Sequence, residues 1–111
     1  MGHMPLILKQ RHALHADMVI GVCTLELHLP DNHSLKGKRQ VVNSLKGRLK
    51  SRFNISVAEV DHLDVWQRAT IGLVMISNDR RHVDGELSKI LNFIEDSQYA
   101  SYLMDYSTEL I

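Results

Sequence analysis

The chain has 111 residues, of which 44% are hydrophobic and 23% charged, and its formal net charge is zero. This length fits one domain with one core, and ordinary apolar content with zero net charge excludes a disordered chain. The single cysteine, Cys23, excludes a disulfide scaffold. The longest apolar run, residues 73–76, is far shorter than the roughly 18 residues of a membrane span. We therefore expect a cytoplasmic protein without a signal peptide and without a membrane partner.

The first residues differ in character from the rest. Residues 1–4 resemble a cloning remnant, and the polar stretch after them precedes the first apolar alternation. We therefore expect a tag remnant or disordered extension over 1–17 and a single domain over 18–111. His12 and His15 have the spacing of a metal-chelating pair, but their place in this extension favours a tag.

Six elements are predicted along the domain. Apolar or small residues occupy every second position from Val19 to Leu29, which is typical of a half-buried strand. Ser34 is placed to cap a helix that ends near Arg52, because its hydroxyl can accept from a first-turn N–H. The remaining predicted elements are strands over 55–60 and 68–77, a helix capped by Asn78 or Asp79 that ends near 96, and a weaker strand over about 99–109.

The order strand, helix, strand, strand, helix, strand forms two βαβ halves. It predicts an α+β, ferredoxin-like βαββαβ sandwich, with a four-stranded antiparallel sheet and two helices on one face. Cys23 alternates with core positions and is expected to be inert packing. The apolar positions expected to face the sheet are Leu35, Val42, Leu45 and Leu49 in the first helix and Val83, Leu87, Ile90, Leu91 and Ile94 in the second.

Charge is distributed unevenly. Residues 35–52 contain seven basic residues and no acidic one, whereas residues 84–111 contain six acidic residues against Lys89 alone. At about 100° per residue, four of the basic side chains fall within about 80°. These predict a straight basic ridge roughly 20 Å long, on the side opposite the apolar stripe: Lys36, Arg39, Lys46 and Lys50.

Such a ridge suits a phosphate backbone, and the alternative is a solvated lysine-rich face. A helix without acidic residues forgoes stabilising i,i+4 ion pairs, which favours a functional role for the charge. Lys38 lies in the apolar arc, within the first turn. There it could help Ser34 hold an anion at the helix start, or it could extend past the sheet edge to water. His28 and His33 lie nearby and could add charge to that anion site.

The predicted sheet argues against base stacking on its open face. RNA-recognition motifs stack bases on aromatic residues of their two central strands, but the strands predicted over 19–29 and 68–77 contain no Phe, Tyr or Trp. Any nucleic-acid binding is therefore expected to be backbone and shape recognition by the helix.

The connection after the second strand contains a secondary candidate site. Its carboxylates and imidazole, Asp61, His62 and Asp64, are residue types used in metal or acid–base sites. No second His or Cys stands at ligand spacing, so the alternative is a long hairpin connection with Trp66 folded over the sheet edge. The chain has no Gly-rich phosphate loop or nucleophile motif, and we expect no enzyme activity, cofactor, metal or small-molecule substrate.

Three segments resemble the YlxP-like family, small uncharacterised bacterial proteins described as domain of unknown function 503. They are SLKGKR (34–39), FNISVAEVD (53–61) and WQRATIG (66–72). The resemblance covers residues 18 to about 96 and implies a ferredoxin-like fold and a bacterial cytoplasmic protein, but no established activity. Some family members are encoded beside transcription-elongation, translation-initiation and ribosome-maturation genes, which favours a role linked to RNA or the ribosome.

The family's motifs fall on identifiable positions. Its basic motif falls on Ser34, Leu35, Lys36, Lys38 and Arg39, and its other signature falls on Glu59, Asp61, Trp66 and Gln67. Gly37 departs from the family pattern, in which a helix-forming and usually acidic residue is expected. Its presence makes the helix start more positive.

Two functional hypotheses follow. In the first, a non-catalytic RNA- or ribosome-associated protein contacts phosphates through its basic first helix. In the second, a homo-oligomeric interaction or scaffold module sets that helix against an acidic protein surface, such as residues 84–109 of another copy. Open sheet edges and the apolar pair Leu110 and Ile111 favour a homodimer. An enzyme that uses Asp61, His62 and Asp64 is a distant third.

Overall fold

Strands and helices follow one another along the chain in the predicted order. The computed structural model describes residues 17–111. The elements are β1 (Val19–His28), α1 (Leu35–Arg52), β2 (Ser56–Asp61), β3 (Arg68–Ser77), α2 (Arg80–Glu95) and β4 (Leu103–Leu110). The bounds of β3 agree with the predicted strand, and Asp79 caps α2 by accepting from the backbone N–H groups of Arg81 and His82.

The four strands form one sheet in the order β2-β3-β1-β4. Every neighbouring pair is antiparallel, and the helices α1 and α2 cover the same face. This is the βαββαβ layout of a ferredoxin-like sandwich, so the predicted fold is confirmed. Helix α1 packs on β2, whereas α2 packs on β1, β3 and β4. Helix α1 therefore lies toward the β2 edge of the sheet.

The core lies between the sheet and the two helices. From residue 21 to residue 28 of β1, the odd-numbered residues are buried and the even-numbered residues are partly buried or exposed, which is the alternation that the sequence predicts. Of the apolar positions predicted to face the sheet, Leu35 and Leu91 are only half-buried, and the others are buried. The buried side of strand β1 therefore faces the core, and the two helices cover the core from the opposite side.

The chain after α2 differs from the prediction. Residues Ala100–Tyr102 form a 3-10 turn, and the last strand begins at Leu103, four residues later than expected. The reason is Tyr99, which is 2% exposed and points into the core. Its hydroxyl forms a hydrogen bond with the hydroxyl of Ser44 in α1. This side chain ties α1 to the segment that leads into β4.

Among residues 17–111, no helix covers the face of the sheet away from α1 and α2, which we call the open face. Pairing places Val22 opposite Val74 and Ile20 opposite Ile76 on this face. Val74 and Ile76 are exposed, and so is Val60 on the edge strand β2. One part of the open face is therefore apolar and accessible.

The predicted extension over 1–17 lies outside the described residues except for Asp17, and so do His12 and His15. Within residues 17–111, neither helix is both long enough and apolar enough to cross a membrane.

Candidate nucleic-acid interface

Helix α1 begins at a side-chain cap. The Ser34 hydroxyl accepts a hydrogen bond from the Gly37 backbone N–H at 3.0 Å, and the Ser34 carbonyl accepts from the Lys38 N–H at 3.2 Å. The first helical turn contains no acidic residue. The predicted cap is confirmed, and the hydroxyl of Ser34 is occupied in forming it.

Four cationic side chains line one flank of α1. Lys36, Arg39 and Lys50 are exposed, and Lys46 is half-buried. Across residues 17–111, the ion pairs are those of Lys38 with Glu59 and of Lys89 with Glu86. None of the four cations therefore has a carboxylate partner among the described residues. We refer to Lys36, Arg39, Lys46 and Lys50 as the basic surface.

The sequence predicts that the basic surface lies opposite the buried stripe of α1, but in the structure it lies on one flank of that stripe. The other flank faces α2 and the segment after it, because the Arg48 guanidinium lies 6.0 Å from the Tyr99 ring and that of Arg52 lies 4.7 Å from the Phe93 ring. The basic surface occupies the remaining flank, toward the β2 edge. The half-burial of Lys46 agrees with this position directly beside the buried stripe.

Lys38 is not part of the basic surface. Both expectations for it leave the ammonium exposed, but its side chain is 0% exposed. Its Nζ donates to Glu59 Oε2 at 2.8 Å and to three backbone carbonyl oxygens, those of His62 (2.7 Å), Leu63 (3.0 Å) and Arg68 (3.3 Å). The assignment of Lys38 to an anion site is corrected on this ground: its ammonium already has four oxygen partners and holds the β2–β3 connection.

The connection between β2 and β3, residues 62–67, is also held from the other side. Gln67 Nε2 donates to the carbonyl oxygens of Pro30 at 3.1 Å and Asn32 at 3.3 Å, and the Leu29 N–H donates to the Gln67 carbonyl at 2.9 Å. Asn32 Nδ2 donates to the Trp66 carbonyl at 2.6 Å and to the Ser34 carbonyl at 2.7 Å. We call residues 62–67 the braced loop, since side chains from α1 and from the β1–α1 connection fix its backbone.

The braced loop presents apolar side chains to solvent. Leu63 is 56% exposed, Val65 is 41% exposed and Trp66 is 52% exposed. If Trp66 folded over the sheet edge, its ring would be less exposed than the structure shows. Asp64 is also exposed.

At the secondary candidate site, the side chains form local hydrogen bonds. Asp61 Oδ1 accepts from the His62 backbone N–H at 2.7 Å, and His62 has a left-handed backbone with φ of 62°. Thr70 Oγ1 donates to Glu26 Oε1 at 2.6 Å, and it lies 2.9 Å from His62 Nδ1. The Thr70 hydroxyl has only one hydrogen, which it donates to Glu26. It therefore accepts a hydrogen bond from the Nδ1–H of His62. Neutral His62 therefore has its Nε2 as the acceptor.

This arrangement brings together only part of the predicted set. The Glu59 carboxylate forms an ion pair with the Lys38 ammonium, and the Asp61 carboxylate accepts a hydrogen bond from the backbone N–H of His62. No group of three or more His, Cys, Asp or Glu side chains suited to a metal ion occurs within residues 17–111. The structure therefore assigns Glu59 and Gln67 to holding the braced loop.

Sequence reasoning missed Asn32, Glu26 and Thr70. Asn32 stands in a turn between β1 and α1, and its only signal was that it comes two residues before the cap of α1. Glu26 and Thr70 lie 44 residues apart and meet because β1 pairs with β3. That contact depends on strand register, which a single sequence does not reveal.

Residues 20–107 match the family described as "Protein of unknown function (DUF503)". The chain belongs to this family. The protein of Bacillus subtilis (strain 168) described as "Uncharacterized protein YlxP" is 35% identical over 77 residues, which cover 69% of this chain and 84% of that protein. The resemblance to the YlxP-like family is thus confirmed.

A solved structure from Bacteroides fragilis is described as a dimeric protein of unknown function with a ferredoxin-like fold. It matches with a TM-score of 0.44 and 14% identity, covering 84% of this chain and 94% of that chain. In this DUF503 chain, Glu59 and Gln67 brace one loop from opposite sides.

Proposed function

We propose that this chain is a non-catalytic, cytoplasmic RNA-binding protein that contacts phosphates through the basic surface of α1. The observation that carries the proposal is that four cations on one flank of this helix have no carboxylate partner among residues 17–111. Helices in proteins commonly pair such charges at i,i+4 spacing. Here the charge is left available to an external anion, either free RNA or RNA within the ribosome.

The arrangement suits a polyanion more than a single small anion. The cations extend from the first turn to the last turn of an 18-residue helix, so they follow a line rather than converge on a point. Phosphate groups along a nucleic-acid strand are similarly spread, and each neutralised phosphate releases condensed counterions. We therefore expect affinity that falls steeply with salt and depends weakly on sequence.

The second hypothesis, in which the basic helix meets an acidic surface of another copy, has weaker support. The acidic residues Asp84 and Glu109 share one surface depression with Arg80 and Arg81. This mixed charge lowers the attraction between that surface and the basic surface. The RNA-binding test described next is therefore designed so that self-association is one of its distinguishable outcomes.

The test compares RNA binding by the wild type and by Lys46→Glu/Lys50→Glu, measured by fluorescence anisotropy of a labelled oligouridine over a range of salt concentrations. We expect at least about tenfold weaker binding at low salt. We also expect a log–log salt slope that is less steep by about 0.7 per lost phosphate contact. Lys46→Gln/Lys50→Gln removes the charges without reversing them and is expected to have an intermediate affinity.

The matched control is Arg80→Glu/Arg81→Glu, which changes net charge equally at the start of α2, where acidic residues are favourable. It is expected to bind RNA as the wild type does. The proposal fails if the wild type does not bind RNA at low salt, or if this control loses as much affinity as the α1 variant. Sedimentation without RNA that shows a salt-sensitive dimer, lost in the α1 variant only, would favour the second hypothesis instead.

A further inference from the structure

Trp66 is the only tryptophan of the chain, and half of its surface faces solvent. A large aromatic side chain is usually covered in a folded domain, because its burial contributes strongly to stability. Leu63 and Val65 in the same loop are exposed as well. Together these three side chains form an accessible apolar surface at one end of the sheet.

The backbone that carries this surface is fixed. Asn32 binds the carbonyl of Trp66, and Gln67, the next residue, bonds to Pro30 and Asn32. On the other side of the loop, Lys38 binds the carbonyls of His62 and Leu63. A loop held at both ends loses little conformational entropy when a ligand binds, so its exposed ring is suited to recognition.

The aromatic ring is tied to the start of the basic surface. A single side-chain amide, Asn32 Nδ2, bonds to the carbonyls of both Trp66 and Ser34, and Ser34 is the cap of α1. Lys36 and Arg39 are exposed within the next turn. An aromatic surface and unpaired cations thus occur together at the N-terminal end of α1.

We propose, as an extension of the proposed function on which it rests, that Trp66 stacks on an unpaired base of single-stranded RNA whose phosphates lie along the basic surface. Stacking on an aromatic ring next to a positively charged track is a general means of binding single strands, and it accepts any base. Bases within a duplex are already stacked and paired, so a protruding ring cannot reach their faces. The braced loop therefore selects single strands, whereas the basic surface alone attracts any nucleic acid.

The position of this stacking residue differs from that in RNA-recognition motifs. Those proteins place their stacking aromatics on the central strands of the open face, and β1 and β3 of this chain contain none. Here the ring lies in the β2–β3 connection, beside α1. A strand bound in this way would run along the helix and leave the open face of the sheet uncovered.

The first measurement is the intrinsic fluorescence of the full chain, which reports on Trp66 alone. We expect an oligouridine to quench the emission and an oligouridine–oligoadenosine duplex of equal length to bind with little quenching. Trp66→Phe keeps an aromatic face and is expected to bind the labelled single strand nearly as the wild type does. Trp66→Ala is expected to bind it about 5- to 150-fold more weakly, the range found for losing one base stack.

The matched control is Tyr106→Ala, which removes another half-exposed aromatic ring, on the far edge strand β4. It retains Trp66 and is expected to keep both affinity and quenching. Asn32→Ala removes the link between Trp66 and the cap of α1, and we expect it to weaken single-strand binding more than duplex binding.

The outcomes separate this inference from the proposed function. Salt-sensitive RNA binding with no quenching and unchanged affinity in Trp66→Ala overturns the stacking role and leaves the function of the basic surface intact. Absence of any RNA binding by the wild type overturns both. Emission of Trp66 that shifts with protein concentration in the absence of RNA shows that a second copy covers the ring, and this also overturns the stacking role.

Discussion

The ammonium of Lys38 and the carboxylate of Glu59 lie 2.8 Å apart and join the first turn of α1 to the edge strand β2. The lysine side chain is 0% exposed, and that of the glutamate is 16% exposed. Three carbonyl oxygens complete the surroundings of the ammonium. A buried charge with this many partners acts as a structural centre, and its removal leaves several polar groups unsatisfied.

Lys38→Met is therefore expected to lower the free energy of unfolding by roughly 3 kcal/mol, because it leaves a partly buried carboxylate and three carbonyl oxygens without their partner. Urea denaturation followed by circular dichroism measures the loss. Adding Glu59→Gln to this variant should restore part of the stability, since no charge is then left unpaired. Lys89→Met breaks the exposed pair with Glu86 and should change stability by less than about 1 kcal/mol. Equal effects of Lys38→Met and Lys89→Met would contradict the structural role of Lys38.

Two glycines of α1 are expected to respond oppositely to alanine. Gly47 has nothing within 4 Å of an added Cβ, so Gly47→Ala should stabilise the protein by about 0.5–1 kcal/mol through helix propensity. At Gly37 an added methyl group would overlap the Asn32 side-chain oxygen. Since that amide is held by Trp66 and Ser34, Gly37→Ala should lower the melting temperature. Stabilisation of both variants to the same extent would show that Asn32 moves freely.

Ser34→Ala is expected to destabilise the protein by about 1 kcal/mol, because the Gly37 N–H loses its partner at the start of α1. Ser34→Asp retains a capping oxygen and adds a negative charge, which is favourable at a helix N-terminus. Chemical denaturation of both variants measures the difference. If Ser34→Asp is as unstable as Ser34→Ala, then the hydroxyl does not act mainly as a cap.

Cys23 is expected to resist thiol reagents in the folded protein. Burial raises the pKa of its thiol from 9.0 to about 11, because the thiolate is poorly solvated in the core. The unfolded chain therefore releases this proton at lower pH than the folded chain does. The contribution of Cys23 to stability is complete below pH 9 and is lost as pH rises toward 11.

The measurement compares the pH dependence of unfolding in the wild type and in Cys23→Ala between neutral and strongly alkaline pH. The wild type should lose more stability over the alkaline range than the variant does. Rapid labelling of the native protein by a thiol reagent at neutral pH would contradict the burial of this side chain.

The sequence allowed the sheet and helices to be predicted because their signals are local. Alternation over Val19–His28 and the helical spacing of Val42, Leu45 and Leu49 are repeated patterns, and each repeat strengthens the assignment. The sequence pattern predicts that Tyr99 begins the last strand. Its burial depends on Ser44, 55 residues away, so local pattern could not place it.

The candidate site was predicted less completely. The basic residues of α1 were identified because charge is visible in the sequence. Their position beside the buried stripe depends on how α1 packs against β2. Lys38 had one unusual signal, a lysine within an apolar arc. Its partners lie 21 to 30 residues farther along the chain, and three of them are backbone carbonyls, which every residue has. No side-chain pattern could have identified them.

The place of the basic surface on the β2 side of α1 has a consequence for the sheet edge. Among residues 17–111, strand β2 ends the sheet, and the outer backbone groups of an edge strand can pair with another strand, which is one route to aggregation. Two copies that approach through their β2 edges would also bring their basic surfaces together. Like charges then oppose the approach at low ionic strength and are screened at high ionic strength. Charge repulsion between the two basic surfaces is therefore expected to oppose edge-to-edge pairing most strongly at low salt.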